Sequence, residues 1–289
     1  MKTPFTIALC FFLSLTIGAN AELSATDIEI ARKALSSADA VVRRAGVRSL
    51  ADGISRTLPP GRTIVKGSSG DELLPVLFDA LKDQDEVVRA DAAVALAILG
   101  TITMKAVQAH SINNPDIRKH PEAATALWKA TNDVNEVVRK NSMDAYVSTF
   151  ELTAELKMEW IKKFSSEPSK QIRNQILTYV LVGSAPSEEV VHFVVEQLKT
   201  SEFEYSAANA LMHLSTPPQE ALPILIEKLK RNDPDPGKRE AWVRLLGSFG
   251  GTAKANLTFL QELEANESNP IVKRKLHSAI ETIKSAAVP

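Results

Sequence analysis

Cysteine is almost missing from the 289 residues: the one present, Cys10, falls in an apolar leader. The rest of the chain therefore has no disulfide to staple it and no thiol for nucleophilic or redox chemistry. Packing alone must hold it together. An excess of charge is missing too. The formal net charge is −1, and without Lys2 of the leader 33 basic residues face 35 acidic ones. That balance gives no broad attraction to nucleic acid or to anionic lipid. Among the five histidines none is paired with another at helical ligand spacing and none is followed by Glu, so the spacings that seat a metal on helices are absent. No Gly-x-Ser-x-Gly turn supplies a serine nucleophile. Gly67-Ser68-Ser69-Gly70 lacks the Gly-Lys-Ser/Thr ending of a phosphate loop. No cofactor is expected, and no catalytic set stands out. Beyond the leader no apolar run approaches the roughly 20 residues of a membrane span.

The leader itself is present and short. Lys2 precedes the apolar run Phe5–Ile17, and Ala19-Asn20-Ala21 reads as a cleavage site that leaves Glu22 first. Residues 1–21 are thus expected to be a signal peptide, and the protein to be periplasmic or secreted with no membrane insertion after cleavage. Residues 22–289 are expected to form one repeat domain.

Residues 72–100 set the pattern for that domain. Leu73, Leu74, Val76, Leu77 and Leu81 form a stripe at helical spacing. A polar turn follows, and Val88, Ala92, Leu96 and Leu99 fall on one face of a second helix. Two such helices cannot bury their apolar faces alone, so they need neighbours of the same kind. With Arg89 as position zero, the same spacing returns at Arg43, Arg139, Arg173, Glu204, Arg239 and Lys273. The last four intervals, 34, 31, 35 and 34 residues, are nearly constant, whereas the first two are 46 and 50. A helical array of about seven pairs is the expected fold. Loops are expected at 53–71 and 101–119, with a short helix at Ile102–His110 inside the second. Glycines 53, 100, 183 and 250 are expected to close the second helix of their pairs. The Asn-x-Ser/Thr matches at Asn256 and Asn266 are common short motifs, and Asn256 is read as a helix cap.

Asp85-Glu86-Val87-Val88-Arg89, leading into an alanine-rich helix that closes in Leu-Gly, resembles a HEAT repeat. The shorter units resemble the bacterial HEAT-like subgroup named from phycobilisome lyases. The resemblance covers about residues 25–285 and implies an all-α, right-handed solenoid that serves as a protein-binding scaffold. It also implies that Arg43, Arg89 and Arg139 contact acidic groups of the neighbouring turn. Asp39, Asp85 and Asn135, four residues before them, are the companions expected within a helical turn. An anion site built from the three arginines is the competing reading. The bilin lyases of the subgroup imply an alternative, an enzyme or the regulatory subunit of one. Deoxyhypusine hydroxylases, another HEAT-like family, bind iron through His-Glu pairs that this chain lacks. A metal shared by His110 and His120 is the residual metal reading.

Trp128, Trp160 and Trp242 are expected in the core. On the second helices, positions two and five after zero point away from the core stripe and offer a mixed polar surface that suits a protein partner. Arg48, Asp91, Asn141 and Asp144 lie there, and Asp91→Ala is expected to change stability by no more than about 0.5 kcal/mol. Arg62, Lys66, Arg118 and Lys119 add a basic edge from the two insertions, which together with Arg48 is expected to meet an acidic patch on the partner.

Overall fold

The computed structural model describes residues 23–56, 72–108 and 116–287. The leader, Arg62, Lys66 and His110 lie outside the described residues. Fourteen α-helices and two 3-10 segments occur among the described residues, with no strand element. The fold class is all-α, of the repeat-solenoid type expected.

The described residues divide into two compact units, one ending at Glu151 and the other beginning at Leu152. In the first, the pairs are α1 (Ala25–Leu35) with α2 (Ala40–Arg56), α3 (Leu73–Ala80) with α4 (Glu86–Gln108), and α5 (Pro121–Ala130) with α6 (Glu136–Thr149). In the second they are α7 (Ala154–Phe164) with α8 (Lys170–Tyr179), α9 (Glu188–Gln197) with α10 (Glu204–Leu211), α11 (Ala221–Lys230) with α12 (Pro236–Gly247), and α13 (Leu257–Asn266) with α14 (Pro270–Ser285). Even-numbered helices are the second (B) helices. They pack on one another: α2 on α4 and α4 on α6 in one unit; α8 on α10, α10 on α12 and α12 on α14 in the other.

The stripe read from the sequence is the core. Val88, Ala92, Leu96 and Leu99 are fully buried, as are Ile172, Ile176 and Val180 and, in the last pair, Leu276 and Ile283. Trp160 and Trp242 are buried as expected, while Trp128 is half-buried, set edge-on to Tyr146. Leu96→Ala should therefore destabilise the protein by about 2–5 kcal/mol in urea unfolding, through lost burial plus the cavity left behind. A change below about 0.5 kcal/mol would place the stripe wrongly.

Two glycines do not stop their helices. Helix α2 continues through Gly53 to Arg56, and α4 through Gly100 to Gln108, so Ile102–Gln108 prolongs α4 instead of forming a separate helix. These glycines serve close packing. A Cβ at Gly53 would sit 2.5 Å from Leu23 Cδ2, and one at Gly100 would sit 3.2 Å from the Ala145 carbonyl oxygen of α6. Gly183 and Gly250, with φ of 85° and 51°, do adopt the left-handed conformation that favours glycine. Asn256 is not a capping side chain: it ends the 3-10 segment Gly250–Asn256 and makes no cap hydrogen bond.

Candidate functional site

The zero-position arginines form ion pairs from repeat to repeat, but not with the residues expected. Arg43 Nε donates to Asp83 Oδ2 at 2.7 Å and Nη2 to Oδ1 at 3.0 Å. Arg89 repeats this on Asp133, at 2.7 and 3.0 Å, and Arg239 on Glu267, at 3.0 and 2.9 Å. Each acceptor lies six residues before the next repeat's zero position. The residue four before zero has another task. Asp39, Asp85, Asn135, Asp235 and Asn269 accept backbone N–H groups at the start of their B helix. The pattern is acid-x-cap-x-x-x-Arg, in which the acid also receives the cap residue's N–H: Asp85 N to Asp83 Oδ1 at 2.8 Å, Asn135 N to Asp133 Oδ1 at 2.8 Å. A third nitrogen of the arginine closes the turn, Arg43 Nη1 on the Ser37 and Ala38 carbonyls and Arg89 Nη1 on those of Asp83 and Gln84. With their guanidinium groups committed in this way, Arg43 and Arg89 are structural and do not form an anion site.

Two rungs vary the pattern. Arg173 pairs with Glu202 at 3.1 Å and lies over the Phe203 ring. Where the next arginine would stand, Glu204 is buried, and Lys228 and Lys238 supply the positive charge. The sign of that rung is reversed.

Asp85 carries two tasks at once. Arg44 Nε donates to it at 2.9 Å, and it caps α4 through Val87 and Val88. The Arg44 hydrogen bond, set against the cost of burial and helped by the two N–H groups, holds its carboxyl at about 2 instead of the usual 3.8. The stabilisation that follows is fully present above pH 4 and is lost as the pH falls through about 2. Asp85→Asn keeps a competent cap but no charge. Its stability should therefore fall less than the parent's between those pH values, as read by acid titration of helical circular dichroism; parallel curves would refute the assignment.

The B-helix face differs from this closed ladder. Arg48 is 68% exposed and Asp91 17%, with Arg48 Nε 3.9 Å from Asp91 Oδ2. That oxygen is buried without a hydrogen bond among the described residues. Burial raises the Asp91 carboxyl above its usual value, and Arg48 only partly offsets it. Asp91 is thus not the freely solvated residue expected. Asn141 donates to the Val137 carbonyl at 2.8 Å, and Asp144 receives Lys140 at 3.1 Å. Both are half-buried on α6. Of the expected basic edge, Arg118 is tied to Asp116 through two contacts of 2.8 Å, so its charge is spent locally, while Lys119 is exposed. Among the described residues no group of three His, Cys, Asp or Glu side chains is placed to hold a metal ion, and no helix is long and apolar enough to cross a membrane.

Residues 28–146 match the family described as HEAT repeats. No curated protein matches the chain. Among solved structures, an Escherichia coli protein titled YibA is similar over 97% of this chain and 87% of its own, at 18% identity and a TM-score of 0.64. An engineered protein is similar over 90% of this chain and 97% of its own, at 20% identity and a TM-score of 0.40. A designed armadillo repeat protein, titled as in complex with peptide (KR)4, is similar over 89% of this chain and 99% of its own, at 16% identity and a TM-score of 0.39. The likeness to the first shows the shared fold.

Proposed function

We propose that this chain, HEAT repeats over residues 28–146, is an exported, non-catalytic scaffold that binds a protein partner on its B-helix face. The observation that carries the reading is the contrast between two surfaces of the same helices. Along the ladder the arginines Arg43, Arg89 and Arg239 are consumed by bidentate pairs inside the protein. On the B-helix face Arg48, Asp91, Asn141 and Asp144 are half-buried or exposed, mixed in sign, and Asp91 and Arg48 are poorly satisfied by each other. A mixed polar surface with unmet hydrogen-bonding capacity on rigid helices fits protein recognition. Export rests on Lys2, the apolar run Phe5–Ile17 and Ala19-Asn20-Ala21.

Affinity capture from the native periplasm and medium, followed by mass spectrometry, tests the function. A partner retained by the parent and lost when Asn141 and Asp144 are both replaced by serine, at unchanged melting temperature, is the expected result. Equal retention by both proteins would overturn it. N-terminal sequencing of the natural protein should begin at Glu22, and a natural protein retaining Met1 in a cytosolic fraction would refute export.

A further inference from the structure

Asp91 sits on α4 facing a line of three charged residues one helical turn apart on α2: Arg44, Arg48 and Asp52. Arg44 is already committed to Asp85. The remaining set is one cation, Arg48, and two carboxylates, Asp91 and Asp52. Arg48 does not settle the account. Its Nε stops 3.9 Å from Asp91 Oδ2, beyond hydrogen-bond distance, and its side chain is 68% exposed. Asp91 Oδ2 is buried without a hydrogen bond among the described residues, which is a costly state for a carboxylate oxygen. Burial raises the Asp91 carboxyl, and Asp52 pushes it the same way. Arg44 adds its charge from a distance but gives its donors to Asp85, so what this corner lacks among the described residues is a cation with donors for Asp91.

We propose that Asp91, with Asp52 beside it, is the receptor for an arginine or lysine side chain of the protein partner, and that Arg48 is a displaceable cover over it. The inference rests on the B-helix face being the binding surface, and it fixes the chemistry of what docks there. An incoming guanidinium would give Asp91 the charge-assisted hydrogen bonds that Arg48 does not make. Arg48 is long, exposed and held by one loose contact, so swinging it aside sacrifices little. The sign is opposite to that expected from the sequence, where Arg48 would meet an acidic patch.

The test uses the full chain and two labelled eight-residue peptides, one alternating arginine with glycine and one alternating glutamate with glycine, followed by fluorescence anisotropy at low salt. The arginine peptide should bind and the glutamate peptide should not. Asp91→Asn should weaken binding by about tenfold or more, since it removes a partly buried charge from the pair. Arg48→Ser should strengthen it about several-fold, because the competing cation is gone. Circular dichroism melts must show both variants folded as the parent. Equal affinity of parent and Asp91→Asn, weakening by Arg48→Ser, or preference for the glutamate peptide would each overturn the inference. Those failures leave the B-helix face itself open to its own test, cross-linking from Asn141, so the two readings fail separately.

Discussion

Replacing Arg239 by alanine should cost about 3–5 kcal/mol of stability. The side chain is 9% exposed and its partner Glu267 3%. Both oxygens of Glu267 accept from Arg239, at 2.9 and 3.0 Å, and the same carboxylate takes the Asn269 N–H at 2.8 Å. Removing the guanidinium leaves a buried carboxylate with only backbone donors. Burial opposes its ionisation; Arg239 and the Asn269 N–H together hold Glu267 below the usual carboxylate range, so the loss is felt near neutral pH. The double variant Arg239→Met with Glu267→Leu should recover most of the loss, because neither charge is then stranded. Urea unfolding followed by hydrogen exchange over α12 and α14 measures both. A single variant within about 0.5 kcal/mol of the parent would mean that the rung contributes nothing.

Trp242→Ala should be as damaging, at about 3–5 kcal/mol. The indole is 1% exposed in the core slot of α12, and Lys228 Nζ lies 5.2 Å from its ring centre. Deletion removes a large buried surface and opens a cavity beside the Glu204, Lys228 and Lys238 cluster, which needs its surroundings intact. Trp242→Phe, which keeps most of the volume and a ring for Lys228, should lose clearly less. Equal losses in the two variants would place the cost in the indole nitrogen instead of in packing. That outcome is not expected, since Trp242 Nε1 is without a hydrogen bond among the described residues.

The core was legible in the sequence because burial imposes a helical period, and Val88, Ala92, Leu96 and Leu99 keep it. Three kinds of residue are not legible in this way. Gly53 and Gly100 carry the composition of a helix stop, but what selects glycine there is the approach of Leu23 in one case and of α6 in the other. No local pattern reports a contact made by a distant segment. The ladder was half visible. The arginine and the cap four residues before it share one helix, so their spacing shows in a single repeat. The acid that receives each arginine belongs to the following repeat; Arg43 and Asp83 are 40 positions apart. The signal was present all the same, in Asp83-x-Asp85-x-x-x-Arg89 and again in Asp133-x-Asn135-x-x-x-Arg139. An acid two residues before the cap, as at Asp83, Asp133 and Glu267, marks the socket for the preceding arginine. Asp91 was misjudged for a related reason. Its position on the helix wheel leads away from the core stripe, but Arg44, Arg48 and Asp52 of α2 crowd it there.

The central claim is that the B helices carry the binding surface. Site-specific photo-cross-linking measures this most directly, with the photoreactive residue placed in turn at Asn141 and Arg244 on B helices and at Glu122 and Glu159 on first (A) helices. Asn141 is half-buried and the other three are exposed. Irradiation in the native extract should join one protein partner to the chain from Asn141 or Arg244 and from neither A-helix position. A partner captured from Glu122 or Glu159 alone would contradict the account.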